Sequence, residues 1–323
     1  MLMLRTSFFS ALLCAVCTAF AIPTLTIQSP ASNDFLGRTS TLRSQITEAT
    51  IQHRVRVRIT NNANPLISFS FQEIFNPDAD NRINGTINLN FNQTTPEGLY
   101  TAVVSVTAGG TYPDQTINNL TVDVNNPRFL DSNPITGSFV RGNVPIFLEI
   151  QEGNVDVWKV QVNGQDIPNN TDSTNTVNVL WDTTAIETDG SQSISINVKD
   201  LALNEANKSI TVTLDRVVPT VQVIAPTGSS VLPGSTIPVS IRITDQFNGS
   251  VSSNAVVVLA RRMDNTLIQR VTRLSSNNSG TILNWTGRIQ KRAILPSQFK
   301  LVVTAVDKAG NPAVSQEVVI NRN

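Results

Sequence analysis

Three stretches of this 323-residue chain repeat one pattern at a spacing of about 90 to 105 residues, the size of a small β-sandwich. Each opens with a short strand that ends in proline: Thr24-Leu-Thr-Ile-Gln-Ser-Pro30, Arg128-Phe-Leu-Asp-Ser-Asn-Pro134 and Val221-Gln-Val-Ile-Ala-Pro226. The second and third continue through a glycine turn into a proline-bearing alternating strand, Asn143–Ile150 and Ser235–Ile243. Each closes on an aromatic-anchored strand, a turn and two further strands, with Phe91, Trp181 and Trp285 as the anchors. A chain with this repeat folds as a short array of similar β modules.

The first 21 residues stand apart. A lone Arg5, an apolar run from Phe8 to Val16 and the small-x-small triplet Ala19, Phe20, Ala21 read as a secretory signal peptide with the mature chain starting at Ile22. The run is broken by Ser10 and Thr18 and falls short of a membrane span, so no transmembrane segment is expected in the mature chain. Both cysteines, Cys14 and Cys17, lie inside this leader, and neither follows the small residue that lipid attachment requires. The mature chain therefore has no disulfide, thiol nucleophile or thiolate metal site, and its modules must hold together by burial alone. The expected location is secreted, extracellular or cell-surface, the periplasm included.

Alternation with period two runs through the mature chain, and no stretch has the apolar spacing of a long amphipathic helix. In His53–Ile59 the histidine and aliphatic residues point one way and Arg54, Arg56 and Arg58 the other. Val155–Val162 followed by Asn163-Gly164, and Val256–Met263 followed by Asp264-Asn265, are hairpin signals. Short proline-bearing joints at Val124–Pro127 and Leu214–Pro219 divide the chain into residues 22–125, 126–217 and 218–323.

The run Trp181-Asp-Thr-Thr to Asp189-Gly190, the turn Asp307-Lys-Ala-Gly-Asn311 and the joint Asp215-Arg-Val-Val-Pro-Thr-Val221 resemble the Ig-like repeats of bacterial secreted and cell-surface proteins. The resemblance covers the second and third modules well and the first weakly, since the first lacks the Asp-x-Ala-Gly-Asn turn. It implies an all-β chain of three immunoglobulin-like Greek-key β-sandwiches. It also implies a spacer, adhesive or polymer-contacting role, in a fold that serves many functions.

The residues themselves give no expectation of catalysis. The chain has one histidine, His53, placed mid-strand among arginines, where a core-edge or surface position is the ordinary outcome. No nucleophile elbow, phosphate loop, zinc-binding helix motif or dinucleotide fingerprint is present. Trp158, Trp181 and Trp285 are read as core anchors; a glycan-binding module would instead expose them in a groove.

Two charge features carry the remaining functional content. In an immunoglobulin-like sandwich the loop between the last two strands faces the preceding module, which draws Asp307 and Asp245 toward Asp215 in the joint and toward Asp189. Carboxylates converging there form a candidate calcium site, against the plain reading of Asp307–Asn311 as a self-capped turn. The second feature is a charge asymmetry hidden in a neutral total. Residues 22–125 hold six basic and eight acidic residues, 126–217 six and twelve, and 218–323 eleven and four, giving −2, −6 and +7. Arg261, Arg262, Arg270, Arg273, Arg288, Lys291 and Arg292 supply most of the excess and are candidates for contact with a polyanion such as an anionic glycan. Another surface protein, or head-to-tail contact with the acidic module of a second copy, fits the same charges. Nucleic acid is not expected as a partner. The reading is a structural or adhesive surface protein; its alternative is a polyanion- or glycan-binding protein with residues 218–323 as the binding module.

Overall fold

In the strand His53–Asn61 every second residue is buried, from His53 through Val55, Val57 and Ile59 to Asn61, while Arg54, Arg56 and Arg58 are exposed. The same alternation recurs in Ile83–Asn90, Asn143–Gln151 and Thr176–Asp182, so each strand presents one apolar face to a partner sheet. The computed structural model describes residues 23–107, 111–227, 236–247, 251–271, 275–279, 282–290, 295–313 and 316–321. The expected leader, with Cys14 and Cys17, lies outside them, as do Arg273, Lys291, Arg292 and the side chain of Trp285.

The described strands form six sheets that pair around three hydrophobic cores. In the first sandwich, Leu25–Ser29, Thr39–Ile46 and Ile83–Asn90 make one sheet. Phe35–Leu36, Gln115–Val122, Gly98–Thr107, His53–Asn61 and Ser68–Phe75 make the other. The second sandwich repeats this arrangement. Thr176–Asp182, Asn143–Gln151 and Arg128–Asn133 face Phe139–Val140, Glu205–Leu214, Gly190–Asp200, Val155–Val162 and Gln165–Asp172. In the third, Thr220–Ala225, Thr236–Thr244, Ile282–Gln290 and Ser275–Ser279 face Leu267–Arg270, Val251–Arg261, Gln298–Asp307 and Gln316–Asn321. Strands adjacent in sequence repeatedly cross between facing sheets, which is the connectivity of tandem Ig-like β-sandwiches.

The repeated prolines mark where the first strand leaves its sheet. Pro30, Pro134 and Pro226 all follow cis peptide bonds. Beyond Pro30 the chain joins the opposite sheet, where Phe35–Leu36 runs parallel to Thr121–Val122; beyond Pro134, Phe139–Val140 runs parallel to Thr213–Leu214. Backbone bonds from Thr121 N to Asp34 O (2.9 Å) and Asp123 N to Leu36 O (3.0 Å) close the first pair. Thr213 N to Ser138 O (2.8 Å) and Asp215 N to Val140 O (3.0 Å) close the second.

Each core has one large, fully buried aromatic residue: Tyr100, Trp181 and Phe299. Tyr100, near the start of its strand, donates its hydroxyl to the Pro96 carbonyl at 2.6 Å, the tyrosine corner typical of this architecture. Trp158 is 3% exposed and Trp181 is 2% exposed, so neither is available as a sugar platform. His53 is fully inside rather than at the edge. Its Nδ1 donates to the Ile51 carbonyl at 2.6 Å, which leaves Nε2 to accept the Tyr112 hydroxyl. The hairpin at Asn163-Gly164 has positive φ at both residues, 52° and 76°, as a type I′ turn requires.

Two compact units result, one of the described residues up to Asn125 with Ala202–Asn204, the other Asn126–Leu201 with Glu205–Asn323. The second and third sandwiches thus belong to one unit.

Candidate metal centre

The joint after Leu214 is short, and its first residue has nowhere to go but inward. Asp215 extends the backbone pairing with Val140, which fixes its side chain at the base of the second sandwich, fully buried. Asp245 follows the strand Thr236–Thr244, and Asp307 ends the strand Gln298–Asp307. One carboxylate oxygen from each of the three lies within 4.8 Å of the others. Three of the four acids expected at this junction therefore converge.

Each carboxylate is positioned by its own contacts. Asn311 holds Asp307 at both oxygens, through its backbone N–H to Oδ1 and its side-chain amide to Oδ2, each at 2.7 Å. The same amide also donates to the Asp215 carbonyl at 2.8 Å, which ties the turn to the joint. The Asp307–Asn311 turn is thus self-capped, as the plain reading held, and still carries its carboxylate to the cluster. Gln246 N donates to Asp245 Oδ1 at 2.8 Å. Oδ1 of Asp215 accepts from Val217 N at 3.2 Å and from Gln246 Nε2 at 3.4 Å, whereas its buried Oδ2 has no hydrogen-bond partner among the described residues.

Asp189 is not part of this group. It faces Arg216, which donates its backbone N–H to Oδ2 at 3.0 Å and its Nε to Oδ1 at 2.6 Å. Arg216 also donates to the Ile186 carbonyl at 2.9 Å, which pins the guanidinium over Asp189. Burial opposes ionisation of Asp189, but the bonds from Arg216 and Gln246 outweigh it and hold the carboxyl below its usual range. Asp215 behaves in the opposite way. Burial first, then the charges of Asp245 and Asp307, push it up to about 6.

Sequence reasoning overlooked the residues that brace this junction. Arg141 donates to the carbonyls of Ala309 (3.1 Å) and Gly310 (2.6 Å), the Phe139 and Phe247 rings meet at a tilt of 55° with centroids 6.5 Å apart, and Lys308 lies 5.6 Å over the Phe139 ring. Asn311 and Arg216 were in view only as parts of motifs.

The basic residues are more dispersed. Arg261, Arg262 and Arg270 share one hairpin, where Arg261 donates to the Asn265 carbonyl at 2.7 Å. Arg288 lies exposed on the facing sheet, beside Pro238.

The sheets define the class of this chain as tandem Ig-like β-sandwiches, with the acid cluster at the joint between the second and the third. No protein-family model matches it, and no curated protein does. Among solved structures it is similar to fibronectin(III)-like modules of Clostridium thermocellum, at 15% identity over 61% of this chain and 94% of that one, TM-score 0.39. A bacterial ice-binding adhesin gives 17% identity over 93% of this chain and 96% of that one, TM-score 0.32. A calcium-stabilised ice-binding adhesin of an Antarctic bacterium gives 17% identity over 94% and 74%, TM-score 0.31. At TM-scores below 0.5 none of these bears on what this chain binds.

Proposed function

We propose that this chain is an exported, non-catalytic structural or adhesive protein of three Ig-like modules, residues 22–125, 126–217 and 218–323. In this reading calcium locks the second module to the third through Asp215, Asp245 and Asp307. The observation that carries the calcium reading is the buried Oδ2 of Asp215, left without a hydrogen-bond partner beside two further carboxylates. A buried carboxylate oxygen without a donor costs on the order of 1–3 kcal/mol, and more when charged, unless a cation or proton meets it. The donor set is all oxygen, which suits a hard cation, and the Asn311 and Gln246 bonds orient the acids without using every lone pair.

Bound calcium would offset two of the three carboxylate charges and join the end of one sandwich's last strand to a loop and a strand end of the next. The role is mechanical spacing. Among the described residues no helix is long and apolar enough to cross a membrane. Calcium titration followed by chelator, read as melting of wild type and Asp307→Asn, tests the reading. A calcium-dependent rise in wild type that is lost in the variant supports it, and unchanged melting in both refutes it.

A further inference from the structure

The outer face of the first sandwich's five-stranded sheet carries a row of guanidinium groups that the junction does not use. Arg54, Arg56 and Arg58 alternate along the central strand His53–Asn61, all three exposed, with their partners in the alternation buried beneath them. A strand rises about 3.3 Å per residue, so the three heads repeat at roughly 7 Å along a line of about 13 Å. Their cross-strand neighbours are Ile74 and Thr107 for Arg54, Gln72 and Ser105 for Arg56, and Ser70 and Val103 for Arg58. None of the six is acidic, and among the described residues none of the three arginines forms an ion pair. Among the described residues their one side-chain hydrogen bond is from Arg56 Nη2 to Gln72 Oε1 at 3.4 Å, which leaves most of the donors to solvent or a ligand. Beside the row lies an open cleft of about 590 Å³ lined by Arg56, Arg58, Ser68, Ser70, Phe71 and Gln72.

We infer that this face binds an extended anionic polysaccharide along the arginine row. Three like charges in line, without a carboxylate to answer them, favour a ligand that brings its own anions at intervals along a chain. The serine hydroxyls and the Gln72 amide in the cleft match sugar hydroxyls. Among the described residues the one ring lining the cleft is Phe71, and it is packed edge-on against Phe91 at the core rather than laid open for a nucleic acid base to stack on. In sequence these arginines were read only as the face opposite the aliphatic residues, and the polyanion expectation fell on residues 218–323.

The test is binding of the full chain to immobilised heparin and polygalacturonate, with neutral dextran and single-stranded DNA as comparisons. The expected result is binding to both acidic polysaccharides and none to dextran, weakening steeply with salt. Replacing Arg54, Arg56 and Arg58 together by Ser should weaken binding roughly tenfold or more, since charge-assisted contacts are lost at exposed positions that leave the core intact. Replacing them by Lys keeps the charge and the fold, loses the forked donor geometry, and should fall between. Changing Arg261, Arg262 and Arg270 to Ser should leave the affinity unchanged. The inference is overturned by unaltered binding in the Ser and Lys variants, by no binding to either acidic polymer, or by DNA bound as tightly as heparin. Loss of binding in the hairpin variant alone overturns it too, and moves the site to the third sandwich. None of these outcomes touches the calcium reading.

Discussion

Changing Asp215 to Asn should stabilise the protein in chelator and remove its response to calcium, two effects of opposite direction from one atom pair. The carboxyl titrates near 6 in the fold against 3.8 when unperturbed. The folded state therefore holds the proton more tightly, which stabilises it fully below about pH 4, and that contribution is lost as the pH rises through 6. Each pKa unit is worth about 1.4 kcal/mol, so above pH 7 the ionised, metal-free cluster costs on the order of 2–3 kcal/mol. Asn keeps an oxygen for the Val217 N–H and places a neutral donor beside Asp245 and Asp307.

For a unit of this size a kcal/mol moves melting by roughly 2–4 °C, so the variant should melt about 5–10 °C above wild type in chelator at pH 7.4. Calcium at a hundred times its Kd adds about 2.7 kcal/mol to wild type and nothing to the variant, which closes the gap. All three tryptophans lie in the unit that holds the site, so their fluorescence follows its melting without the first sandwich. A variant that melts at or below wild type in chelator, with neither protein moved by calcium, refutes the account. Repeating the scan from pH 4 to 7 in chelator should show wild type losing stability while the variant stays flat.

Three further outcomes follow from the same contacts. Trp181→Ala should destabilise the unit by about 3–5 kcal/mol, seen in denaturant melts, because a fully buried ring leaves a cavity; unchanged stability would mean the ring is not core. Tyr100→Phe should cost about 1 kcal/mol in the first sandwich by removing the bond to Pro96, measured by circular dichroism melting. Asn311→Ala should weaken calcium binding while leaving the three carboxylates in place, since Asp307 Oδ2 and the Asp215 carbonyl lose the side-chain amide that ties them together while the backbone N–H to Oδ1 is kept; calorimetric titration at equal protein stability checks it.

The strands and the crowding of acids at the joint were legible because alternation and loop placement depend on sequence order alone. Asp215, Asp245 and Asp307 are each fixed by where a strand ends. Asp189 lies at the same junction, where Gln246 donates to both it and Asp215, but it is held apart from the three-acid group for a local reason: Arg216, adjacent to Asp215 in sequence, pairs with it. Trp158 reaches the core although strict alternation with Val155 and Val157 would not place it there, because the register against Asp200 and Lys199 shifts between those two valines. Asn311 hid inside its own turn, where the capping residue and the residue that grips Asp307 are the same. The burial of His53 depended on Tyr112, 59 residues away, which no local pattern connects to it.

The parallel pairing of Phe139–Val140 with Thr213–Leu214 has a consequence under load. Tension applied to the two ends of the second sandwich slides these segments past each other along their length. Their backbone bonds then bear force together instead of opening one at a time. The last of those bonds is donated by Asp215 itself, so the residue that ends this shear clamp is also the one whose carboxylate sits against Asp245 and Asp307. An ion held there would set the force at which the clamp slips.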